Sequence, residues 1–296
     1  MPSEYETAPS VDLRVPSWLT GFIDDAAVFP PDATPLDRAV TEHLVHRSSG
    51  YRAMLGGFVV TDVKVPDLID VLDGVAVGDG PETAIQVNLV VTGGAGAIGP
   101  AVRWVARSPL LHLRAIEFAL RDEDDLTHNA RRVRTALDTV EEDLDEVAAY
   151  VELPRISGQP TYGWLAAMDE LADADLMLRL RTGGGAPESF PTAGELATAI
   201  DAALDRELPF RCAGALTTAV SGDGRFGFAN LLLATRACLD GGDTVGALTD
   251  AGAGQLLAGT DPDLLERTRR WFTGFSSNDV LESYDDLVDL GLITPA

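Results

Sequence analysis

Apolar runs of the length of β-strands alternate with helical patterns about every 30 residues along this chain. The predicted strands cover 21–29, 55–62, 83–91, 111–120, 146–153, 175–181, 209–216 and, as the weakest, 244–250. Seven helical patterns lie between these strands. Two cover 36–51 and 127–144, one begins after Pro66, one ends near Ser108, and the last three begin at Tyr162, Thr192 and Gly227. Eight consecutive strand–helix units predict a closed α/β barrel, a (β/α)8 fold of the TIM type, rather than an open sheet.

The predicted units form a single domain, 1–296, which is an ordinary length for one such barrel. Residues 1–18 are expected to be an N-terminal extension, and 262–296 are expected to be C-terminal helices. The glycine-rich segment TGGAGAIG (92–99) contains some glycines of a dinucleotide-binding turn. Such a turn follows the first strand, whereas this segment follows the third, so a dinucleotide-binding fold is the lesser alternative.

Composition limits the partners and the compartment that we expect. The chain carries 47 acidic against 22 basic residues, a net charge of −25, and such a surface repels nucleic acids and anionic membranes. No apolar run is long enough for a membrane helix, and the polar N-terminus does not read as a signal peptide. Cys212 and Cys238 are too few for a disulfide scaffold, and we expect two buried thiols. These features predict an acidic, soluble, cytoplasmic protein, with homo-oligomerisation left open.

Side-chain alternation along the strands predicts a polar barrel interior. In DLMLRLR (175–181) the three leucines must face the helices, which turns Arg179 and Arg181 inward. The same rule applied to four other strands turns a further set inward: Gln86, Asn88, Glu117, Tyr150, Glu152 and Arg211. Asp24 and Asp25 in the first strand are expected to add an acid at the same end.

Two interpretations of these inward groups remain open. An internal ion-pair network would leave balanced charge and no cavity, because buried charge is costly unless it is paired. A ligand site at the carboxyl-terminal strand ends would leave an arginine for an anion, since guanidinium groups suit carboxylates and phosphates. The glycines after Arg181 favour the second interpretation, because their backbone can approach an anion closely. The predicted ligand-binding residues are Arg179, Arg181, Thr182, Gly183, Gly184, Arg211, Asn88 and Gln86.

Three acids are candidates for proton transfer. Glu152 is the first choice, because its strand neighbours the arginine-bearing strand, and Glu117 and Asp25 are the others. No cofactor is indicated by a motif, although Asp24 or Asp25 together with Glu152 offers oxygen ligands for a divalent metal.

The histidines and the lysine argue against other chemistries. His43 and His46 lie one turn apart on the first predicted helix and are expected on a solvated face. His112 begins a strand and His128 opens a helix, so a histidine base or a zinc triad is not expected. Lys64, the single lysine, is expected on the surface.

Several segments, taken in order, resemble a bacterial family of α/β barrels without an established activity. The segments are FIDDAAVFPP (22–31), VELP (151–154), LRTGG (180–184), LPFRCAGALTTAV (208–220), GFANLLLA (227–234) and FTGFSSNDVLESYDDLVDLGLI (272–293). In that family the seventh strand reads like PFKxTAGLHH, whereas this chain has Arg211 at the lysine position and Thr217 and Thr218 at the histidine positions. The resemblance implies that Arg211 holds an anion and forms no Schiff base. Thr217 and Thr218 would donate hydrogen bonds to the ligand and would not act as acid or base.

The leading hypothesis is an enzyme that acts on a small anionic metabolite, with lyase, isomerase and hydrolase chemistry undecided. Because of the substitutions in the seventh strand, a non-catalytic ligand-binding barrel is a second hypothesis. A structural protein with an internal salt-bridge network is a third. The sequence does not decide whether the chain is an enzyme.

Overall fold

A closed barrel of eight parallel strands forms the centre of the molecule. The computed structural model describes residues 13–75, 84–121, 124–140, 144, 147–186, 189–214 and 216–295. The barrel strands are β2 (Ile23–Asp25), β3 (Leu55–Thr61), β4 (Ile85–Val91), β5 (Leu111–Ala119), β6 (Ala148–Glu152), β7 (Met177–Arg181), β8 (Phe210–Ala213) and β9 (Phe272–Ser277). Each strand pairs in parallel with the next, and β9 closes on β2. The predicted (β/α)8 fold is confirmed.

Helices cover the outside of the barrel. They are α1 (Leu36–Ser48), α2 (Val65–Gly74), α3 (Ile98–Ala106), α4 (Leu126–Asp138), α5 (Tyr162–Ala172), α6 (Ala193–Leu204), α7 (Phe228–Leu239), α8 (Thr244–Thr249), α9 (Ala253–Ala258), α10 (Pro262–Arg269) and α11 (Val280–Asp289). The outward strand residues and the inner helix faces form one continuous apolar core. None of the helices in the described ranges has the length and apolarity needed to cross a bilayer.

The prediction for the eighth strand was wrong. Within the predicted strand 244–250, Thr244–Thr249 form helix α8, which Asp243 caps by accepting a hydrogen bond from the Gly246 amide at 2.8 Å. The eighth barrel strand is β9, inside the segment expected to be helical, although α10 and α11 flank it as expected. An irregular register beside β8, where Phe210 pairs with Phe272 but Arg211 pairs with Gly274, breaks the alternation that marks a strand.

The chain termini differ in part from the expected extension. Residues 1–12 lie outside the described residues, but β1 (Leu13–Arg14) pairs antiparallel with β10 (Thr294–Pro295). The first barrel strand is also shorter than predicted, since β2 stops at Asp25 and the chain turns from Ala26. The fifth predicted strand includes residue 146, which lies outside the described residues.

Two glycines in β3 make room for polar side chains in the barrel. A Cβ atom on Gly56 would lie 2.1 Å from Oδ1 of Asp24, and one on Gly57 would lie 2.5 Å from Oδ1 of Asn88. The register between β2 and β3 gains one residue here, because Ile23 pairs with Leu55 and Asp25 with Phe58. The Gly57 amide donates to Oδ1 of Asp24 at 2.6 Å, so the bulge also fixes that carboxylate.

Aromatic packing outside β9 stabilises the closure of the barrel. The ring of Phe275 lies 5.1 Å from Phe22 in an edge contact and 4.8 Å from Phe228 in a stacked one. Phe275 is fully buried, so its removal leaves a cavity between the closing strands and α7.

We expect Phe275→Ala to lower the free energy of unfolding by about 3–5 kcal/mol, the usual cost of truncating a buried phenylalanine. Leu281→Ala in α11 is the control, because Leu281 is 48% exposed and its truncation should cost less than about 0.5 kcal/mol. Urea denaturation of both variants measures the difference. Equal losses would contradict the assignment of β9 as the strand that closes the barrel.

Candidate functional site

Seven charged side chains alternate in sign through the barrel interior. In order of contact they are Arg114, Asp24, Arg211, Glu117, Arg179, Glu152 and Arg181, and we call them the interior charge chain. They come from five strands, β2, β5, β6, β7 and β8. Neighbouring strands place them at adjoining heights, since Arg179 is paired in register with both Glu152 and Arg211.

The contacts along the interior charge chain have ion-pair distances. Nη1 of Arg114 lies 2.8 Å from Oδ1 of Asp24, and Arg211 contacts the other oxygen of Asp24. Nη1 of Arg211 lies 2.7 Å from Oε1 of Glu117. Burial of each group is therefore accompanied by an opposite charge.

The contacts continue from Glu117 to the open end of the barrel. Nε of Arg179 lies 2.8 Å from Oε2 of Glu117, although it is not aligned for a hydrogen bond. Arg179 also contacts Glu152, and Nη2 of Arg181 lies 2.7 Å from Oε1 of Glu152.

The interior charge chain has an arginine at each end. Four arginines alternate with three carboxylates, so the set has one more positive than negative charge. Arg114 at one end also donates to the Gly21 carbonyl at 3.1 Å. Arg181 at the other end has a side chain that is 43% exposed, and it shares Glu152 with Arg179. Both terminal arginines are partly exposed, Arg114 to 35% and Arg181 to 43%, so positive charge is accessible at both ends of the interior charge chain. At the carboxyl-terminal end of β7 it belongs to Arg181.

Burial shifts the pKa values of the central members of the interior charge chain. Desolvation raises the pKa of Glu117, and the adjacent Arg179 opposes that rise. Desolvation lowers the pKa of Arg211 to about 9, so this guanidinium is still charged at neutral pH. The Tyr150 ring, with its centroid 5.1 Å from Cζ of Arg211, stabilises the cation further.

Asn88 is buried in the barrel interior, and its side-chain amide has no hydrogen-bond partner among the described residues. It is 0% exposed, and neither its Oδ1 nor its Nδ2 makes a hydrogen bond to a described residue. Leaving such a group unpaired costs about 1–3 kcal/mol. An ordered water or a ligand atom that reaches this depth would remove that cost.

A small cavity lies above the charge chain at the carboxyl-terminal strand ends. It has a volume of about 110 Å³ and we call it the central cavity. Its lining residues are Ala26, Phe29, Pro30, Val59, Arg179, Arg181, Gly183, Gly184, Gly185, Ala213, Gly214, Ser276 and Asn278. Two arginines and three consecutive glycines therefore meet at one opening, as the sequence predicted.

Gly214 fixes the glycine segment against the end of β8. Its φ is +108°, and a Cβ atom there would lie 2.2 Å from the carbonyl oxygen of Gly183. The hydroxyl of Thr182 donates to the Gly214 carbonyl at 2.9 Å. Thr182 is thus used for positioning the loop, and only glycine fits at 214.

Several predicted positions were correct. Glu117, Glu152, Arg179, Arg181 and Arg211 all point inward and contact one another. Lys64 is exposed and pairs with Asp67. Cys212 is buried as expected, whereas Cys238 is only partly buried.

Other predicted site residues lie elsewhere. Gln86 is exposed near the amino-terminal end of β4, two residues before Asn88, so it does not reach the carboxyl-terminal site. Thr217 and Thr218 do not border the central cavity, and the Thr218 hydroxyl donates to the Val220 carbonyl at 3.3 Å. The alternation that turned residues inward says nothing about height along the barrel.

Asp25 faces away from the barrel interior. Because Asp24 and Asp25 are consecutive in β2, only one of them can point inward, and Asp24 does so. Oδ2 of Asp25 lies 2.9 Å from Nδ1 of His43, a residue of α1 that is 1% exposed. The prediction of a solvated His43 was therefore wrong, and Asp25 does not lie among the inward-facing acids. His46 is half-buried and contacts the Tyr51 hydroxyl at 2.8 Å.

Sequence reasoning missed Arg114 and Asn278. A register shift lets Val87 pair with Leu113 and Asn88 with Ala115, which turns Arg114 inward against simple alternation. Asn278 follows β9, which was not predicted as a strand, and its Nδ2 donates to the Phe29 and Pro30 carbonyls at 2.8 and 3.0 Å. These bonds fix the loop that forms one wall of the central cavity.

The described residues contain no group of three or more histidine, cysteine or acidic side chains that is arranged to hold a metal ion. Asp25 is separated from Glu152 by its outward orientation, and Asp24 is occupied by two arginines. The predicted oxygen-ligand set is therefore not brought together.

We expect Gly214→Ala to lower the free energy of unfolding by about 2 kcal/mol or more, because a positive φ and a backbone overlap both oppose a side chain. Gly194→Ala in α6 is the matched control, since no atom lies within 4 Å of its added Cβ. It should be neutral or stabilising by up to about 1 kcal/mol. Chemical denaturation compares the two, and similar stabilities would contradict the close approach of Gly183 and Gly214.

Comparison with known proteins adds one distant likeness. No family model matches the chain, and no curated protein matches it. Among solved structures the chain is similar to the carboxyl transferase domain from Rhizobium etli pyruvate carboxylase with pyruvate and biocytin, at 12% identity and a TM-score of 0.46. The match covers 93% of this chain and 48% of that one, so the chain spans about half the length of that structure. The likeness is too distant to assign an activity.

Proposed function

We propose that this barrel binds a small anionic metabolite, a carboxylate or a phosphate, and acts on it as an enzyme. The observation that carries the proposal is the excess positive charge at Arg181, which is half-exposed beside three glycines at the carboxyl-terminal end of β7. Barrel enzymes place their sites at this end. A bound anion at Arg181 would continue the alternation, giving four negative groups for four arginines.

The glycine segment would supply backbone contacts for the same anion. Gly183, Gly184 and Gly185 border the central cavity with Arg179 and Arg181. A guanidinium fork binds a carboxylate or phosphate with two parallel hydrogen bonds, and nearby amides add to them.

Glu152 is the proposed proton-transfer residue. Its Oε1 lies 2.7 Å from Nε and Nη2 of Arg181, so an anion bound at Arg181 would come close to this carboxylate. The guanidinium groups of Arg179 and Arg181 both contact this carboxylate, and a carboxylate is a common general base. Glu117 is enclosed between Arg211 and Arg179 with no exposure, so its proposed part is to position those arginines.

A non-catalytic binding barrel is the second candidate. It is favoured by the double pairing of Glu152, which makes that carboxylate a weak base, and by the position of Thr217 and Thr218 away from the cavity. The structural interpretation is less favoured, because it requires balanced charge and no cavity. The interior charge chain has an excess arginine, and a cavity lies at its open end.

We expect inorganic phosphate or small keto acids to raise the melting temperature of the wild-type protein, since a ligand that binds only the folded state stabilises it. Arg181→Ala should weaken the binding at least about tenfold, the value of one charge-assisted contact. Arg52→Ala is the control, because Arg52 is an exposed arginine just before β3, at the opposite end of the barrel. Thermal-shift titration and calorimetry measure both variants.

Equal affinities for Arg181→Ala, Arg52→Ala and the wild type would contradict the anion assignment. For every compound that binds, NMR spectra recorded over time show whether it is converted. Conversion that disappears in Glu152→Gln, while binding is retained, supports the enzyme. Binding without conversion by the wild type supports the second candidate.

A further inference from the structure

A second cavity lies beside Arg181, outside the barrel wall. It has a volume of about 230 Å³ and is bounded by the end of β7 and by α5 and α6. Its walls are mainly apolar and include Leu153, Ile156, Trp164, Leu180, Leu196 and Ala199. We call this cavity the lateral pocket.

The two strands beside the lateral pocket, β6 and β7, end at different heights. β6 ends at Glu152, opposite Arg179, whereas β7 continues to Arg181. Pro154 lies two residues after the end of β6, and because proline has no amide hydrogen it cannot extend the pairing between β6 and β7. The indole Nε1 of Trp164 donates to the Pro154 carbonyl at 2.9 Å, which holds the departing chain against α5.

The charged residues that line the lateral pocket form two groups. Arg179 and Arg181 border both this pocket and the central cavity, and Glu152 borders the lateral pocket beside them. On the far rim Nη2 of Arg155 lies 2.7 Å from Oε2 of Glu195, so that pair is neutral as a whole. The side facing Arg181 is therefore cationic, and the space behind it is apolar.

From this arrangement we propose that the lateral pocket binds the apolar chain of the metabolite whose anionic head is held at Arg181. The proposal rests on the proposed function and names its substrate class, an acid with an unbranched chain of about six carbon atoms. A cavity of about 150 Å³ is large enough to bind benzene, so the lateral pocket has room for such a chain. The chain would pass Glu152, which places its first carbon atoms beside the proposed proton-transfer group.

The experiment is an NMR titration of the full chain with butanoate and hexanoate, and with inorganic phosphate and hexyl phosphate. We expect hexanoate to bind about fifteenfold more tightly than butanoate, about fourfold for each buried methylene group. Ala199→Leu, which fills the pocket, should reduce that ratio to less than about threefold. Ala193→Leu in the same helix is the matched control, because Ala193 does not line the pocket. The phosphate pair decides which anionic head is preferred.

The outcomes separate this proposal from the proposed function. If butanoate and hexanoate bind equally and Arg181→Ala weakens both, the chain assignment is overturned and the anion site stands. If no acid or phosphate binds, both are overturned. If Ala199→Leu leaves the ratio of hexanoate to butanoate affinity unchanged, the assignment of the chain to this pocket is also overturned. Should Ala199→Leu fail to fold, contacts between the hexanoate methyl group and the Trp164 ring in the wild type support the assignment, and their absence overturns it.

Discussion

Charged groups inside the barrel are stable only as a connected set, and most features of the interior follow from that constraint. Removing one partner of a buried ion pair leaves an uncompensated charge, which is far costlier than an exposed one. Gly56 and Gly57 leave space for Asp24 and Asn88, and the register shift in β5 brings Arg114 to Asp24. The register shifts in these strands thus bring the buried charged groups into contact with their partners.

The same constraint connects structure to the proposed function. A strictly alternating series that begins and ends with arginine has one more positive than negative charge. Both end arginines, Arg114 and Arg181, are partly exposed, and Arg181 is the one at the carboxyl-terminal strand ends. Gly183, Gly184 and Gly185 beside Arg181 have no side chains that could cover its guanidinium group. The close approach of Gly214 to Gly183 holds this glycine segment in place. The proposed anion site lies at the exposed end of this series, where Arg181 shares Glu152 with Arg179.

Much of this could be predicted from the sequence because strand alternation is a local rule. DLMLRLR alone requires Arg179 and Arg181 to point inward, and the structure agrees. The rule failed where bulges shift the register, as at Arg114 and in β9, since an extra residue cannot be seen without the neighbouring strand. Alternation also does not show how far along the barrel axis a residue lies. Gln86 therefore shares the inward parity of Asn88 but lies at the amino-terminal end of β4, away from the predicted site. The lateral pocket depends on where two strands end relative to each other, which no single segment contains.

The most direct test of the interior charge chain is a double-mutant cycle on Asp24 and Arg211, measured by urea denaturation. Each of Asp24→Asn and Arg211→Met should lower the free energy of unfolding by about 3–5 kcal/mol, because each removes one of the two opposite charges that compensate a buried group. The double variant should lose less than the sum of the two by about 1 kcal/mol or more. Additive losses, within about 0.5 kcal/mol, would contradict the account, because they would show that the two buried groups do not depend on each other.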